Sequence, residues 1–251
     1  MKWIFLWLMF CTTLAPQAAS GASPYTVMQL DFENGLAHVN KQGIAVTLPK
    51  ASNAIVVDCV NARTGRCSMR TEIDNTPEYI SHAAHRAESD SHLIKETLYS
   101  EFDQMRYGFS LYVANSWETD SRESIDIIWQ FKRTGTQPDI FLAIKGEDIV
   151  LRAVGGKQEI IVKNYPRGKW IDFRLGILWS PGEAGTINAE VRLPPREEFV
   201  LATNMKGQNM VDSRAKSGYI KWGLYKPDYK NSKVHHPRVV FHDDIYIEHI
   251  N

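Results

Sequence analysis

The residues of this 251-residue chain best suited to chemistry lie in Tyr219-Ile-Lys-Trp-Gly-Leu-Tyr225-Lys226. Tyr219, Lys221, Gly223 and Tyr225 share one parity. In a β-strand their side chains project to one face, while Ile220, Trp222 and Leu224 project to the other. Such a strand carries two phenols and an ammonium group on one surface and a large apolar set on its reverse. Phenols and ammonium groups need partners, so a packed interior does not select that surface. A site for an anionic, hydroxyl-rich polymer does. The ammonium group meets the charge, and a phenol can give or take a proton. An ordinary solvated sheet face is the competing reading of this segment.

Strands must position these groups, and strands are what the rest of the sequence predicts. Short β-rich segments fall at residues 25–32, 44–48, 54–60, 68–73, 96–102, 107–113, 125–131, 140–144, 149–154, 159–162, 169–178, 186–191, 219–225 and 239–247. Turn residues separate them, as in Lys145-Gly-Glu-Asp148, Gly155-Gly156 and Ser180-Pro-Gly-Glu-Ala-Gly185. Helical signal is thin: residues 77–84 offer a turn or two, and residues 195–215 read as an irregular excursion. Many short strands at close spacing describe an all-β sandwich or barrel. Within 186–191, Ile187, Ala189 and Val191 face one way and Thr186, Asn188 and Glu190 the other. With no internal repeat and no low-complexity linker, residues 21–251 read as one domain.

Residues 1–20 read as a secretory signal peptide: Lys2, an apolar run over 3–14, then small residues through Ala22. The apolar run is too short to span a bilayer. The product is therefore expected to be secreted or periplasmic, soluble and without stable membrane association. Cys59 and Cys67 close a short loop, and in an oxidising compartment a disulfide is the natural reading. Twenty-nine basic residues balance twenty-nine acidic ones. That balance argues against a nucleic-acid partner bound by neutralising many phosphates, but leaves room for a local basic site for a polyanion.

Three segments together resemble a known family. They are His85-Arg86-Ala87-Glu88, Trp129-Gln130-Phe131-Lys132 and Tyr219-Ile-Lys221-Trp-Gly223-Leu-Tyr225. In this order the chain resembles the exported polysaccharide lyases of jelly-roll architecture, specifically the heparin lyase I-like and glucuronan lyase-like group. It is more distantly similar to the alginate lyases of the same scaffold. Gly168-Lys-Trp170-Ile-Asp-Phe and Val240-Phe-His-Asp243-Asp-Ile-Tyr-Ile extend the likeness, which covers roughly residues 80–248. The resemblance implies a concanavalin-like jelly-roll β-sandwich of two curved antiparallel sheets, with the three segments lining one concave groove. In one respect the chain departs from the family: Lys132 stands two residues after Gln130, where the related pattern carries a histidine. His85 is the imidazole that would take its place.

The activity so implied is β-elimination on a uronic-acid-containing polysaccharide, with an acidic polysaccharide as partner. The C5 proton is removed, the C4–O bond breaks, and the product carries an unsaturated uronate. Gln130 and Arg86 would neutralise the carboxylate. Tyr225 would donate to the leaving oxygen, and either Tyr225 or His85 would take the proton. Lys221, Tyr219, Lys132 and Lys226 would bind substrate, and Glu88 would hold Arg86. Two other readings stay open. One is a non-catalytic carbohydrate-binding protein. The other is a glycoside hydrolase, for which Glu118-Thr-Asp120-Ser-Arg-Glu123 has a suggestive spacing but polar intervening residues. No cofactor is required; a structural calcium is a candidate at Asp243-Asp244 or the acidic loop 118–126. A monomer is expected. Glucuronan, alginate, heparin or heparan sulfate and hyaluronan-like chains all carry the uronate this chemistry needs.

Overall fold

Apolar–polar alternation broken by glycine, proline and aspartate yields strands that assemble into two antiparallel sheets. The computed structural model describes residues 23–47, 49–119, 124–211, 217–228 and 236–250. In chain order the strands are β1 (Tyr25–Leu30), β2 (Ala45–Thr47), β3 (Ile55–Asp58), β4 (Ser68–Ile73), β5 (Ile80–Ser81), β6 (Ala84–Asp90), β7 (Gln104–Val113) and β8 (Asp126–Lys132). Then follow β9 (Ile140–Lys145), β10 (Asp148–Ala153), β11 (Gln158–Val162), β12 (Trp170–Leu178), β13 (Thr186–Arg192), β14 (Val200–Lys206), β15 (Tyr219–Lys226) and β16 (Arg238–His249).

The first sheet runs β14-β13-β12-β7-β16-β4-β3, with β1 also on β16. The second runs β11-β10-β9-β8-β15-β6-β2, with β5 also on β6. The jelly-roll sandwich expected from the sequence is what the chain forms. Strand order in the second sheet matters most for function. It sets β15 between β8 and β6, so segments far apart in the chain become direct neighbours.

Aromatic residues close the space between the sheets. Phe109 of β7 stacks on Trp129 of β8 at 4.2 Å and on Phe173 of β12 at 4.9 Å. Trp179 stacks on Tyr99 at 3.8 Å. Truncating one such buried ring to alanine costs roughly 3–5 kcal/mol. His242 of β16 is fully buried in the same layer and donates from Nε2 to the Ile128 carbonyl at 3.1 Å. Burial pushes its imidazole down to about 3.

Several expectations need correction. Residues 96–102 do not form a strand. Asp103 accepts the Ser100 N–H at 2.6 Å and Phe102 takes a positive φ of 69°, so the segment turns instead, after a short 3-10 stretch at Lys95–Thr97. Residues 195–215 contain β14, an edge strand that pairs with β13 and leaves Val200 and Leu201 exposed. A short helix, Leu36–Lys41, had no sequence counterpart. β6 was absent from the strands read from periodicity, and is the Arg-x-Glu strand that the resemblance implied.

Cys59 and Cys67 are joined as predicted. Their loop is held from below by β16: Asp243 accepts the N–H groups of Arg63 and Thr64 at 2.8 and 3.4 Å, and the Thr64 hydroxyl donates to Asp244. Burial pushes Asp243 up to about 6. These carboxylates thus anchor a loop. Among the described residues there is no cluster of three or more side chains suited to hold a metal. The signal-peptide segment 1–20 and Asp120 and Glu123 lie outside the described residues.

Candidate active site

The site is built by register. β15 pairs Tyr219 with Lys132 and Lys221 with Gln130 of β8. On its other side it pairs Lys221 with Asp90, Gly223 with Glu88 and Tyr225 with Arg86 of β6. Side chains of one parity therefore gather on the outer face of the second sheet, while Ile220, Trp222, Leu224 and Ala87 enter the core.

A bulge sharpens the arrangement. The β15–β8 register shifts between Trp222 and Tyr225, whereas the β15–β6 register runs through unbroken. Gly223 sits in the bulge with φ 131°, and a Cβ there would come within 2.3 Å of the Ala87 carbonyl oxygen. Only glycine permits this close approach. Beyond the bulge, Tyr225 lies beside Arg86, whose guanidinium stands 4.0 Å over the phenol ring.

Glu88 is the hub. Its side chain is 2% exposed. One carboxylate oxygen accepts the Gln130 side-chain amide; the other is 3.0 Å from the Lys221 ammonium and 3.4 Å from Arg86 Nε. Two cations thus share one anion, leaving net positive charge on the floor. An amide carries two N–H donors, so Gln130 retains one for a ligand. Lys132 adds a further amine, donating to the Thr136 carbonyl. Desolvation first, then Lys221 and Arg86, push its pKa below the ordinary lysine range. Tyr219 moves the other way, raised by desolvation and then by Asp90 and Glu88. Ile127, Ala143 and Val150 form an apolar patch beside the polar floor, with Phe141 and Tyr225 packed against it.

Of the residues nominated from sequence, Arg86, Glu88, Gln130, Lys132, Tyr219, Lys221 and Tyr225 share this face. His85 and Lys226 do not. They pair with each other across β6 and β15 at the opposite parity, and both are buried. Strand alternation requires this: if Arg86 faces out, His85 faces in. Burial depresses the His85 imidazole, which feels Asp74 from beyond β4. Lys226 is 0% exposed, with Asp126 at 3.5 Å and Asp228 at 3.7 Å.

The imidazole near this face is His92, which sequence reasoning passed over. Its Nδ1 contacts the Asp90 carboxylate, and its ring lies 5.7 Å from that of Tyr219. The spacing Asp90-x-His92 at the end of β6 was the available signal. Phe141 and Arg152 were also missed; they continue the row Lys221–Gln130 across β9 and β10. Glu118, from the hydrolase-like segment, is exposed and pairs with His236 at 3.2 Å.

A family model described as polysaccharide lyase matches residues 31–246. Comparison with curated protein sequences finds no match. Among solved structures, the chain is similar to the endo-β-1,4-glucuronan lyase of the fungus Trichoderma reesei, with 15% identity, TM-score 0.58, and coverage of 81% of this chain and 94% of that one. It is similar to a family 14 alginate lyase of Aplysia kurodai, with 10% identity, TM-score 0.61, and coverage of 89% and 98%. It is also similar to the catalytic domain of a family 131 glycoside hydrolase of Coprinopsis cinerea, with 14% identity, TM-score 0.61, and coverage of 88% and 93%. At these identities the structural likenesses establish the fold alone.

Proposed function

The chain belongs to the polysaccharide lyase family, and from that premise we propose that it cleaves a uronic-acid-containing polysaccharide by β-elimination. One observation carries the reading: Arg86, Gln130 and Tyr225, from three separate strands, converge on a floor organised by Glu88. The substrate carboxylate sits on this floor. Gln130, Arg86 and Lys221 take up the charge that develops as the C5 proton leaves. The C5–H electron pair becomes the C4–C5 double bond, the C4–O bond breaks, and the leaving oxygen receives a proton from Tyr225.

With His85 on the reverse of β6, Tyr225 is the first choice for base as well as acid. The Arg86 guanidinium lies 4.0 Å over its ring, so the phenol stands beside the cation that would meet the substrate carboxylate. Lys132 is a second base, carried by the depression of its pKa and its place two residues along β8 from Gln130. We also read the protein as exported. In support, it holds a disulfide, and among the described residues no helix is long and apolar enough to cross a membrane.

The test is a panel of polyuronates followed by the ultraviolet absorbance of the conjugated unsaturated product. Tyr225→Phe keeps the ring and removes the hydroxyl, so elimination should fall roughly 10²-fold or more while binding survives. Near-wild-type turnover in that variant refutes the mechanism. No unsaturated product from any polymer favours a binding protein instead. A loss in Lys132→Met as severe as in Tyr225→Phe assigns the base to Lys132.

A further inference from the structure

Arginines on the strands of this protein come with carboxylates. Arg70 pairs with Glu72, Arg86 with Glu88, Arg106 with Glu248, Arg174 with Glu190, Arg192 with Asp172 and Arg238 with Asp126. Arg152 of β10 is the exception: among the described residues no carboxylate lies within ion-pair distance of it. Its Nε and Nη2 both donate to the neutral Gln158 Oε1, at 3.2 and 2.7 Å. The fork is held in place without being neutralised. Its guanidinium carbon lies 5.3 Å from the centre of the Phe141 ring.

Register places this pair on the face of the candidate site. Gln130 is opposite Phe141, and Phe141 is opposite Arg152. Arg152 therefore stands two strands from Gln130, about 10 Å away. Beside it opens a cavity of about 480 Å³, lined also by Gln137, Phe141, Gly155 and Gln208, in which Arg152 is the one charged side chain. An aromatic ring, neutral amides and a single unneutralised guanidinium suit a sugar ring that bears hydroxyls and one carboxylate. Each linked sugar advances by about one strand spacing, so this sugar is two residues along the polymer from the one at Gln130.

We propose that Arg152 and Phe141 form a distal subsite for a second uronate, with Arg152 selecting charged over neutral sugars there. This rests on the polyuronate reading above. The probes are glucuronan and alginate oligomers of two to six residues, each with a carboxyl-reduced counterpart. Calorimetric titration uses the Tyr225→Phe background, which slows cleavage of the ligand, and ultraviolet absorbance of the recovered sample checks that it stayed intact. Affinity should step up at the length that reaches Arg152. Arg152→Gln in that background should remove the step, a loss of about tenfold or more. The reduced oligomers should show no step in either protein. In the active enzyme, Arg152→Gln should raise KM for the longer oligomers with kcat unchanged. A length step that survives Arg152→Gln, or no step in the parent protein, overturns the subsite. Absence of cleavage by the wild type overturns the lyase reading instead, and the titration still decides the subsite.

Discussion

Replacing Glu88 with glutamine tests whether this carboxylate holds the site together. The change keeps the shape and one acceptor oxygen, but removes the charge shared by Lys221 and Arg86. The Glu88 and Lys221 side chains are 2% and 7% exposed, so water does little to replace the lost counterion. Breaking a buried ion pair by removing one partner costs about 3–5 kcal/mol. The Arg86 side chain, 17% exposed, retains some solvent, which places the expectation near the lower end, at about 3 kcal/mol. For a chain of this size that is a fall in Tm of roughly 6–12 °C. Thermal unfolding followed by circular dichroism measures it. Removing the second charge in Glu88→Gln with Lys221→Met should recover part of the loss, because the uncompensated ammonium is then gone. Turnover should fall in both variants, since the Gln130 amide loses its ionised anchor. A Glu88→Gln protein melting within about 2 °C of wild type, under about 1 kcal/mol, would refute the shared-counterion account.

Gly223→Ala should destabilise by at least about 3 kcal/mol and displace Tyr225, because its Cβ meets the Ala87 backbone at 2.3 Å and φ is 131°; a urea midpoint close to wild type contradicts this. His242 gives a pH signature. Its pKa is about 3 when folded against about 6.5 when unfolded, so below pH 6.5 the unfolded chain binds a proton that the folded one refuses. The His242 contribution is complete above pH 6.5 and is lost as pH falls. The stability difference between wild type and His242→Gln should therefore shrink by about 1.4 kcal/mol per pH unit from pH 6 to pH 4, measured by urea denaturation at each pH. A difference independent of pH rules out this titration.

β15 was legible because its alternation is local: apolar residues on one parity, phenols and an ammonium group on the other. β6 was not, because Ala84-His-Arg-Ala-Glu-Ser-Asp90 has no apolar periodicity. Its inward positions are filled by an imidazole, a methyl and a hydroxyl, while its outward face is charged. Only the Arg-x-Glu resemblance marked it as a strand, with Arg86 and Glu88 on one parity, and His85 was grouped with Arg86 in spite of that alternation. Carrying the same alternation one residue back, to His85, would have separated them. Arg152 and Phe141 were invisible for a different reason. Nothing local marks them, and only the cross-strand register carries them into line with Gln130.

The central place of β15 sets when this protein can work. Its partners β6 and β8 are complete by residue 132, yet each waits for a strand that begins at residue 219. Until then both present an open edge, and Glu88, Gln130 and Arg86 have neither Lys221 nor Tyr225 beside them. No shorter N-terminal portion can assemble the floor. The floor is completed only by the last eighth of the chain, so a chain cut before residue 219 holds Glu88, Gln130 and Arg86 in an unfinished site.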